Sequence, residues 1–466
     1  MLRILLLLSC LLSPIAARAA DLSAEIEQRT RRLEARVIET RRDLHQHPEL
    51  GNRETRTAFV VAERLGSLGL EVRTGIAKTG VVGVLRGALP GPVVALRADM
   101  DALPVTEETG LPFASKVRAQ YGGQEVGVMH ACGHDAHTAI LLGVAELLSG
   151  VRERLAGTVL FVFQPAEEGP PPGEEGGAPL MLKEGVFANP KPDAIFALHT
   201  DSELAAGEVA VVAGPAMASS DRLRIVVHGR GTHASAPWRG VDPVAVAARI
   251  VLAIEALPAR EVDARKPSVV SIAAIHGGVR YNVIPDDVEL LGTVRTLDPE
   301  LQQELHARIE RTATKLAEAS GATASVEISE RNPITSNDAA LVERMRPTLA
   351  RTAKLVPALP RTGAEDFAWF AQQVPGMYFW LGVREPQTTV AEAAPNHSPR
   401  FLVDDGSLAV GVRTLAQLVV DYAATGKPPA PVTTKPEAAP KAVAPAPKKK
   451  APPKKATPEP AAQPKK

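Results

Sequence analysis

Aromatic residues are scarce, at 4 % of 466. That disfavours a surface on which nucleobases stack. Cysteine is scarcer still: Cys10 and Cys132 are the whole complement, which excludes a scaffold stapled by several disulfides. Neither sign of charge is in excess, because 53 Lys+Arg meet 53 Asp+Glu. A chain that is basic throughout, as many nucleic-acid binders are, is excluded. Beyond the first twenty residues no stretch approaches the ~18 apolar residues needed to span a bilayer. Several catalytic signatures are also missing: no G-x-x-x-x-G-K-[ST] phosphate loop, no G-x-S-x-G elbow, no C-x-x-C pair and no H-E-x-x-H helix. What is present is length and apolar content. A chain with 45 % hydrophobic residues can bury a sizeable core, and its length suits two or three folded units.

The two ends differ from the middle. Arg3 is followed by the apolar run 4–12, broken by Ser9 and Cys10, and then by Ala17-Arg18-Ala19. This is the pattern of a secretory signal peptide cleaved after residue 19 or 20, and it implies a periplasmic or secreted protein. A buried N-terminal helix and lipidation at Cys10 are the alternatives. Removing the signal leaves Cys132 as a single thiol: free, paired between molecules, or bound to metal. Residues 427–466 hold ten Lys against two Glu, a net of +8, so the rest of this neutral chain carries −8. Twelve of those 40 residues are Pro, so neither helix nor sheet can propagate. Such a tail is a solvated, extended segment, or an electrostatic tether to an anionic envelope surface.

In between, helical periodicity at 29–42 and 57–68 is followed by short apolar runs at 80–85, 93–96, 158–163 and 194–198, with a helical pattern at 138–148. Strands alternating with helices predict a parallel or mixed α/β sheet. The character changes near 209–217. Strand patterns at 222–228, 268–275 and 288–296, with helical patterns at 242–257 and 299–317, predict a compact α+β module. A further strand is expected at 375–381. No internal repeat of solenoid type is present.

Three of the eleven His fall in one string, His130-Ala-Cys132-Gly-His134-Asp-Ala-His137. Thiolate and imidazole at this density are donors for a divalent transition metal, although a polar helix start with incidental histidines would read the same. Glu167 and Glu168 stand just past the apolar run 158–163. Alone they suit a surface pair. At a strand end in an α/β sheet, one could ligate metal while its neighbour acts as general base. His199 ends a second run, and His397 lies far along the chain in a turn-like stretch. Asp99 and Asp101 follow a strand at alternate positions, where a carboxylate can orient a ligand His. His45 and His47 flank a helix end and read as structural.

The strings RADMDALP, MHACGHDAH, FQPAEEG, GRGTHAS, YNVIP with GTVRT, GAEDF and NHSP occur in that order. Together they resemble metallopeptidase family twenty, subfamily D, the amidohydrolase group of hippurate, indole-acetyl-amino-acid and N-acyl-amino-acid hydrolases. The likeness runs from about residue 41 to 422. It implies a two-domain fold of zinc-peptidase type: a catalytic α/β domain in two parts, 21–215 and 331–425, interrupted by an α+β lid at 216–330 that mediates dimerisation. The signal (1–20) and the tail (426–466) fall outside it.

The resemblance further implies two divalent ions per chain, Mn²⁺ or Zn²⁺ with Co²⁺ or Ni²⁺ also tolerated, held by Cys132, His134, Glu168, His199 and His397. Cys132 would bridge them. Glu167 would be the general base and acid, Asp101 the supporting carboxylate and Asp99 an outer one. His137 is not a ligand in the family pattern, although spacing alone would include it. His233 matches a lid His that reaches the partner's active site in related dimers, and Asn282 and Arg295 match positions that hold the substrate carboxylate. Thr232 departs from the Gly that many relatives carry there. The implied activity is hydrolysis of a small-molecule N-acyl amino acid by a metal-activated water, without nucleic acid. A dipeptidase or an N-acetyl-diaminopimelate deacetylase is the alternative, and an envelope-binding protein without activity is a third reading.

Overall fold

The computed structural model describes residues 14–425, with side chains from Leu22 onward. Residues 1–13 of the expected signal peptide and the expected tail lie outside the described residues. Among the described residues no helix is long and apolar enough to cross a membrane.

The architecture is mixed α/β and is organised by an eight-stranded sheet. From one edge its strands are Glu71–Ile76, Gly80–Arg86, Ala156–Gln164, Leu89–Asp99, Ala194–Ala205, Gly376–Arg384, Glu208–Ala210 and Lys354–Val356. Three neighbouring pairs, from Ala156–Gln164 to Gly376–Arg384, are parallel. A parallel strand is buried on both faces, so it reads as a continuous apolar run rather than an alternating one. That explains the runs seen in the sequence. Successive side chains then feed two different cores. Val159, Phe161 and Phe163 point to one face and Leu160 and Val162 to the other. Phe196 and Leu198 oppose Ile195 and Ala197 in the same way. Each fully buried Phe contributes roughly 1.5–3 kcal/mol.

The first face is covered by long helices: Pro14–Gln46, Thr55–Ser67, His134–Ser149, Ala339–Thr352 and Gly406–Ala424. The second is covered only by the short helices Gly177–Lys183 and Phe367–Ala371. The two crossovers that leave Leu89–Asp99 and Ala156–Gln164 therefore run on opposite sides of the sheet. Ligand sites gather outside the carboxyl ends of strands at such a switch.

Residues 220–332 build a smaller layer. Its antiparallel sheet has the order Ser268–His276, Asp287–Thr296, Ser220–His228 and Thr323–Asn332. Helices Pro243–Glu255 and Pro299–Ala319 pack on one face over Leu223, Ile225, Val227, Val288 and Leu290. Both helices start with an Asp cap followed by Pro, Asp242-Pro243 and Asp298-Pro299. The Asp298 carboxylate accepts the Glu300 and Leu301 N–H groups. Pro suits the first helical position because its missing N–H is not needed there. The fourth strand, Thr323–Asn332, carries exposed polar residues on alternate positions and gave no apolar run to read.

The chain enters and leaves this layer along two paired segments, Gly214–Met217 and Thr335–Asn337. Asn337 locks them to the large sheet. Its Nδ2 donates to the Val212 and Tyr378 carbonyls at 2.7 and 2.8 Å, and its Oδ1 accepts the Tyr378 N–H at 2.7 Å. Asn337→Ala strands these buried backbone groups and should lower the unfolding free energy by about 2–4 kcal/mol. Chemical denaturation measures this, and a loss under about 1 kcal/mol would contradict it.

Candidate metal centre

Register places the candidate residues at one level of the sheet. Arg97 lies opposite Ala197 and Val162, Asp99 opposite Gln164, and His199 opposite Trp380. With a period of two, Arg97, Gln164, His199 and Tyr378 share the face that carries only the short helices.

Cys132 and His134 reach this level from the start of helix His134–Ser149. The turn before it needs Gly133, at φ +88°. A Cβ there would overlap the Thr200 hydroxyl, so no other residue fits without displacing Thr200. Glu167 and Glu168 arrive on the turn after Ala156–Gln164. Buried Glu54 pins that turn by accepting the Ala166 N–H at 2.8 Å and the Thr79 hydroxyl at 2.6 Å. His397 comes from the other end of the chain at φ +70°, and its N–H donates to the Ala131 carbonyl at 2.7 Å.

Cys132 Sγ lies at the centre of these groups, 3.4 Å from His199 Nε2 and 3.3 Å from His397 Nε2. His397 Nε2 is 3.0 Å from a Glu168 oxygen. The donor atoms of Cys132, His134 and His199 lie within 4.8 Å of one another, and so do those of Cys132, Glu168 and His397. Two donor groups therefore share one thiol. His134, Glu167 and Glu168 form a further group of the same span.

Hydrogen bonds behind the imidazoles fix which nitrogen faces inward. His134 Nδ1 is 3.2 Å from Asp101, whose other oxygen accepts the Glu168 N–H at 3.0 Å. His199 Nδ1 donates to the Thr200 carbonyl at 2.7 Å. Each ring thereby turns Nε2 toward Cys132 as a lone-pair donor. Among the described residues His134 Nε2 is buried without a hydrogen-bond partner, an arrangement that costs free energy unless something accepts its lone pair. Thiol, imidazole and carboxylate suit a divalent transition ion, so these residues fit a metal pair.

His137 is engaged elsewhere. Its Nδ1 is 2.5 Å from Asp99, and its Nε2 accepts the Thr200 N–H at 2.8 Å. With both nitrogens used it orders the Thr200 backbone next to His199. His45 is buried between Asp135 and Glu107, 2.8 and 3.1 Å away, while His47 bonds its own helix at Asp43.

Glu167 abuts a cluster that the motifs did not announce. A fully buried guanidinium, Arg97, donates to Gln164 at 2.8 Å, Asp99 at 2.6 Å, Glu365 at 2.8 Å and Asp366 at 3.0 Å. Tyr378 donates to Glu365 at 3.0 Å. Burial, and then the charges of Glu365 and Glu168, hold the Glu167 carboxyl well above its ordinary range. Arg97, Glu365 and Asp366 all lie in strings quoted above, RADMDALP and GAEDF, but nothing in one sequence says that they meet. Glu54 carried no signal at all.

A cavity of about 500 Å³ opens over the centre, with Cys132, Glu167, Glu168, His199 and His397 on one side and Arg295, Arg331 and Arg361 among its other walls. His233 and Asn282 lie elsewhere. They are neighbours in the smaller layer, where the Ala234 N–H donates to the Asn282 carbonyl at 3.1 Å. The His233 side chain is exposed and, among the described residues, bonds only Ser235. Neither residue lines this cavity.

The model for peptidase family M20/M25/M40 matches residues 95–421. The chain belongs to that family. It is 40 % identical over 404 residues to thermostable carboxypeptidase 1 of Saccharolobus solfataricus, covering 86 % of this chain and 99 % of the relative. It is 38 % identical over 387 residues to N-acetylcysteine deacetylase of Bacillus subtilis, covering 83 % and 96 %. Among solved structures it resembles the Bacillus subtilis YXEP protein, described as a dinuclear metal binding peptidase from the M20 family. That likeness has a TM-score of 0.71 and 36 % identity, and it covers 84 % of this chain and 98 % of that one. Membership makes the protein an amide-bond hydrolase and accords with the two donor groups found around Cys132.

Removing the carboxylate behind His134 tests this centre. Asp101→Ala should weaken metal affinity roughly 10–100-fold, the usual effect of losing such a partner. Metal content after dialysis against graded chelator reads it out, and an unchanged content would sever Asp101 from the centre.

Proposed function

We propose that the protein is an exported dinuclear amidohydrolase that cleaves N-acyl amino acids to a carboxylic acid and an amino acid. The observation that carries this reading is the shared Cys132 thiol with Glu167 beside it, within 4.8 Å of His134 and Glu168, in a cavity that Arg295 also lines. A guanidinium opposite a hydrolytic centre suits a substrate with a carboxylate near its amide. Export rests on the pattern of residues 1–20.

Cys132, His134, Glu168, His199 and His397 would hold the ions, zinc or manganese by donor type. When bound, such ions supply Lewis acidity and lower the pKa of water. Glu167 takes the proton of the attacking water and returns it to the leaving nitrogen. A carboxyl held high by burial and neighbouring carboxylates is suited to carry a proton between the two steps. Arg295 anchors the substrate carboxylate from within the chain, and Asn282, which lies outside this cavity beside His233, reaches it from a second copy. His233 steadies the oxyanion from a second copy of the chain. A dimer through the smaller layer is supported by large apolar side chains left in solvent near His233: Val279 is 96 % exposed, Tyr281 93 % and Trp238 77 %.

A second reading, removal of a C-terminal residue from a peptide, is favoured by the 40 % identity to a protein named carboxypeptidase. Both readings cut an amide next to a free carboxylate, and they differ in what precedes it.

Metal-stripped mature protein, with and without Mn²⁺ or Zn²⁺, should release amino acid from a panel of N-acyl amino acids only when metal is present. Release from dipeptides alone would favour the second reading. No release from folded, metal-loaded protein would overturn both. Glu167→Gln should keep its metal yet turn over at least about 10²-fold more slowly, the scale of general-base catalysis. Near-normal turnover would remove Glu167 from the proton transfer.

A further inference from the structure

Three guanidiniums line the cavity, and they are not equivalent. Arg361 pairs with Asp201 and has Glu203 3.9 Å away. Its guanidinium also stacks on Trp380 at 4.6 Å from the ring centre. Its charge is balanced and its plane is occupied. Arg295 and Arg331 form no ion pair with any described residue. Arg295 donates only from Nε, to the Thr293 hydroxyl at 3.3 Å.

Arg331 is placed by structure on both sides of it. It is the penultimate residue of strand Thr323–Asn332, and its carbonyl accepts the Trp369 indole N–H at 3.4 Å. Its guanidinium crosses to the turn that carries Glu167 and Glu168, where it sits over Gly169. That glycine has φ +114°, and a Cβ on it would overlap Arg331 Nη2. The exposed side chain thus lies along the turn that carries Glu167 and Glu168, where it lines the cavity. Burial, and then the positive charge of Arg331, lower the pKa of Arg295, with the charge of Asp221 opposing.

Two guanidiniums without an ion-pair partner among the described residues line one cavity and repel each other until anions arrive, and each can engage one carboxylate in a two-point contact. A monocarboxylate satisfies one of them. We propose that the site selects substrates whose amino-acid part bears a second carboxylate, N-acyl derivatives of glutamate or aspartate. Arg295 takes the α-carboxylate and Arg331 takes the side-chain carboxylate. This rests on the proposed cleavage of N-acyl amino acids for the position of the amino-acid part.

The test uses pairs that differ only in that charge: N-acetylglutamate against N-acetylglutamine for kcat/KM, and glutamate against glutamine as products titrated calorimetrically into zinc-loaded protein. The acidic member should be favoured at least about tenfold, the scale of a charge-assisted hydrogen bond. In Arg331→Gln that ratio should fall close to one, and Arg331→Lys should restore part of it. No preference in the parent protein, or an equal loss for both members in Arg331→Gln, would overturn the inference. Binding of glutamate that depends on Arg331, without hydrolysis of any N-acyl amino acid, would uphold it and defeat the proposed reaction instead.

Discussion

Arg97 has no contact with solvent, and a guanidinium in that position must be met by anions or it does not stay charged and folded. Its partners come from three parts of the chain: Asp99 on its own strand, Gln164 on the next, and Glu365 and Asp366 more than 260 residues away. The last two lie beyond the whole smaller layer. This one buried cation therefore stitches the two parts of the large sheet's surroundings together, and it does so directly beneath the reaction centre. The acids around it outnumber the bases. Burial raises Asp366 up to about 8, with Arg97 opposing and Glu365 adding to the shift, while Gln164 donates to both its oxygens at 2.7 Å. Glu167 inherits the same surplus of negative charge.

From Arg97 the order spreads outward through hydrogen bonds. Asp99 holds His137, His137 holds Thr200, and Thr200 holds His199. Asp101, two residues on, holds both His134 and the backbone of Glu168. His134, His199 and the backbone of Glu168 are thus each aimed from behind by a group that is itself fixed. A site arranged in advance spares the cost of ordering its ligands when ions or substrate arrive.

Much of this was legible in the sequence, and the reason differs from element to element. The central strands were readable because burial on both faces demands unbroken apolar runs such as 158–163. Strand Thr323–Asn332 was not, because one of its faces is solvated and its sequence is mostly polar. Donors such as Cys132 and His134 stood out because they crowd a few residues. Glu54, Arg97 and Arg331 did not, because an isolated acid or base in a sequence is usually on the surface, and only its neighbours in space show otherwise. His137 is the instructive case. Its spacing is that of a ligand, and its two hydrogen bonds make it a brace.

By itself the sequence determined the α/β character, the interruption by a second module, and which residue types could bind metal, since each follows from periodicity or from side-chain chemistry close along the chain. The tertiary structure alone decided which donors share Cys132, which His faces the centre and which stands behind it, and that two guanidiniums face the cavity unpaired. Those relations join residues up to hundreds of positions apart. They depend on distances of about 3 Å that hydrogen bonding and charge require, and only the folded packing of the sheet sets such distances.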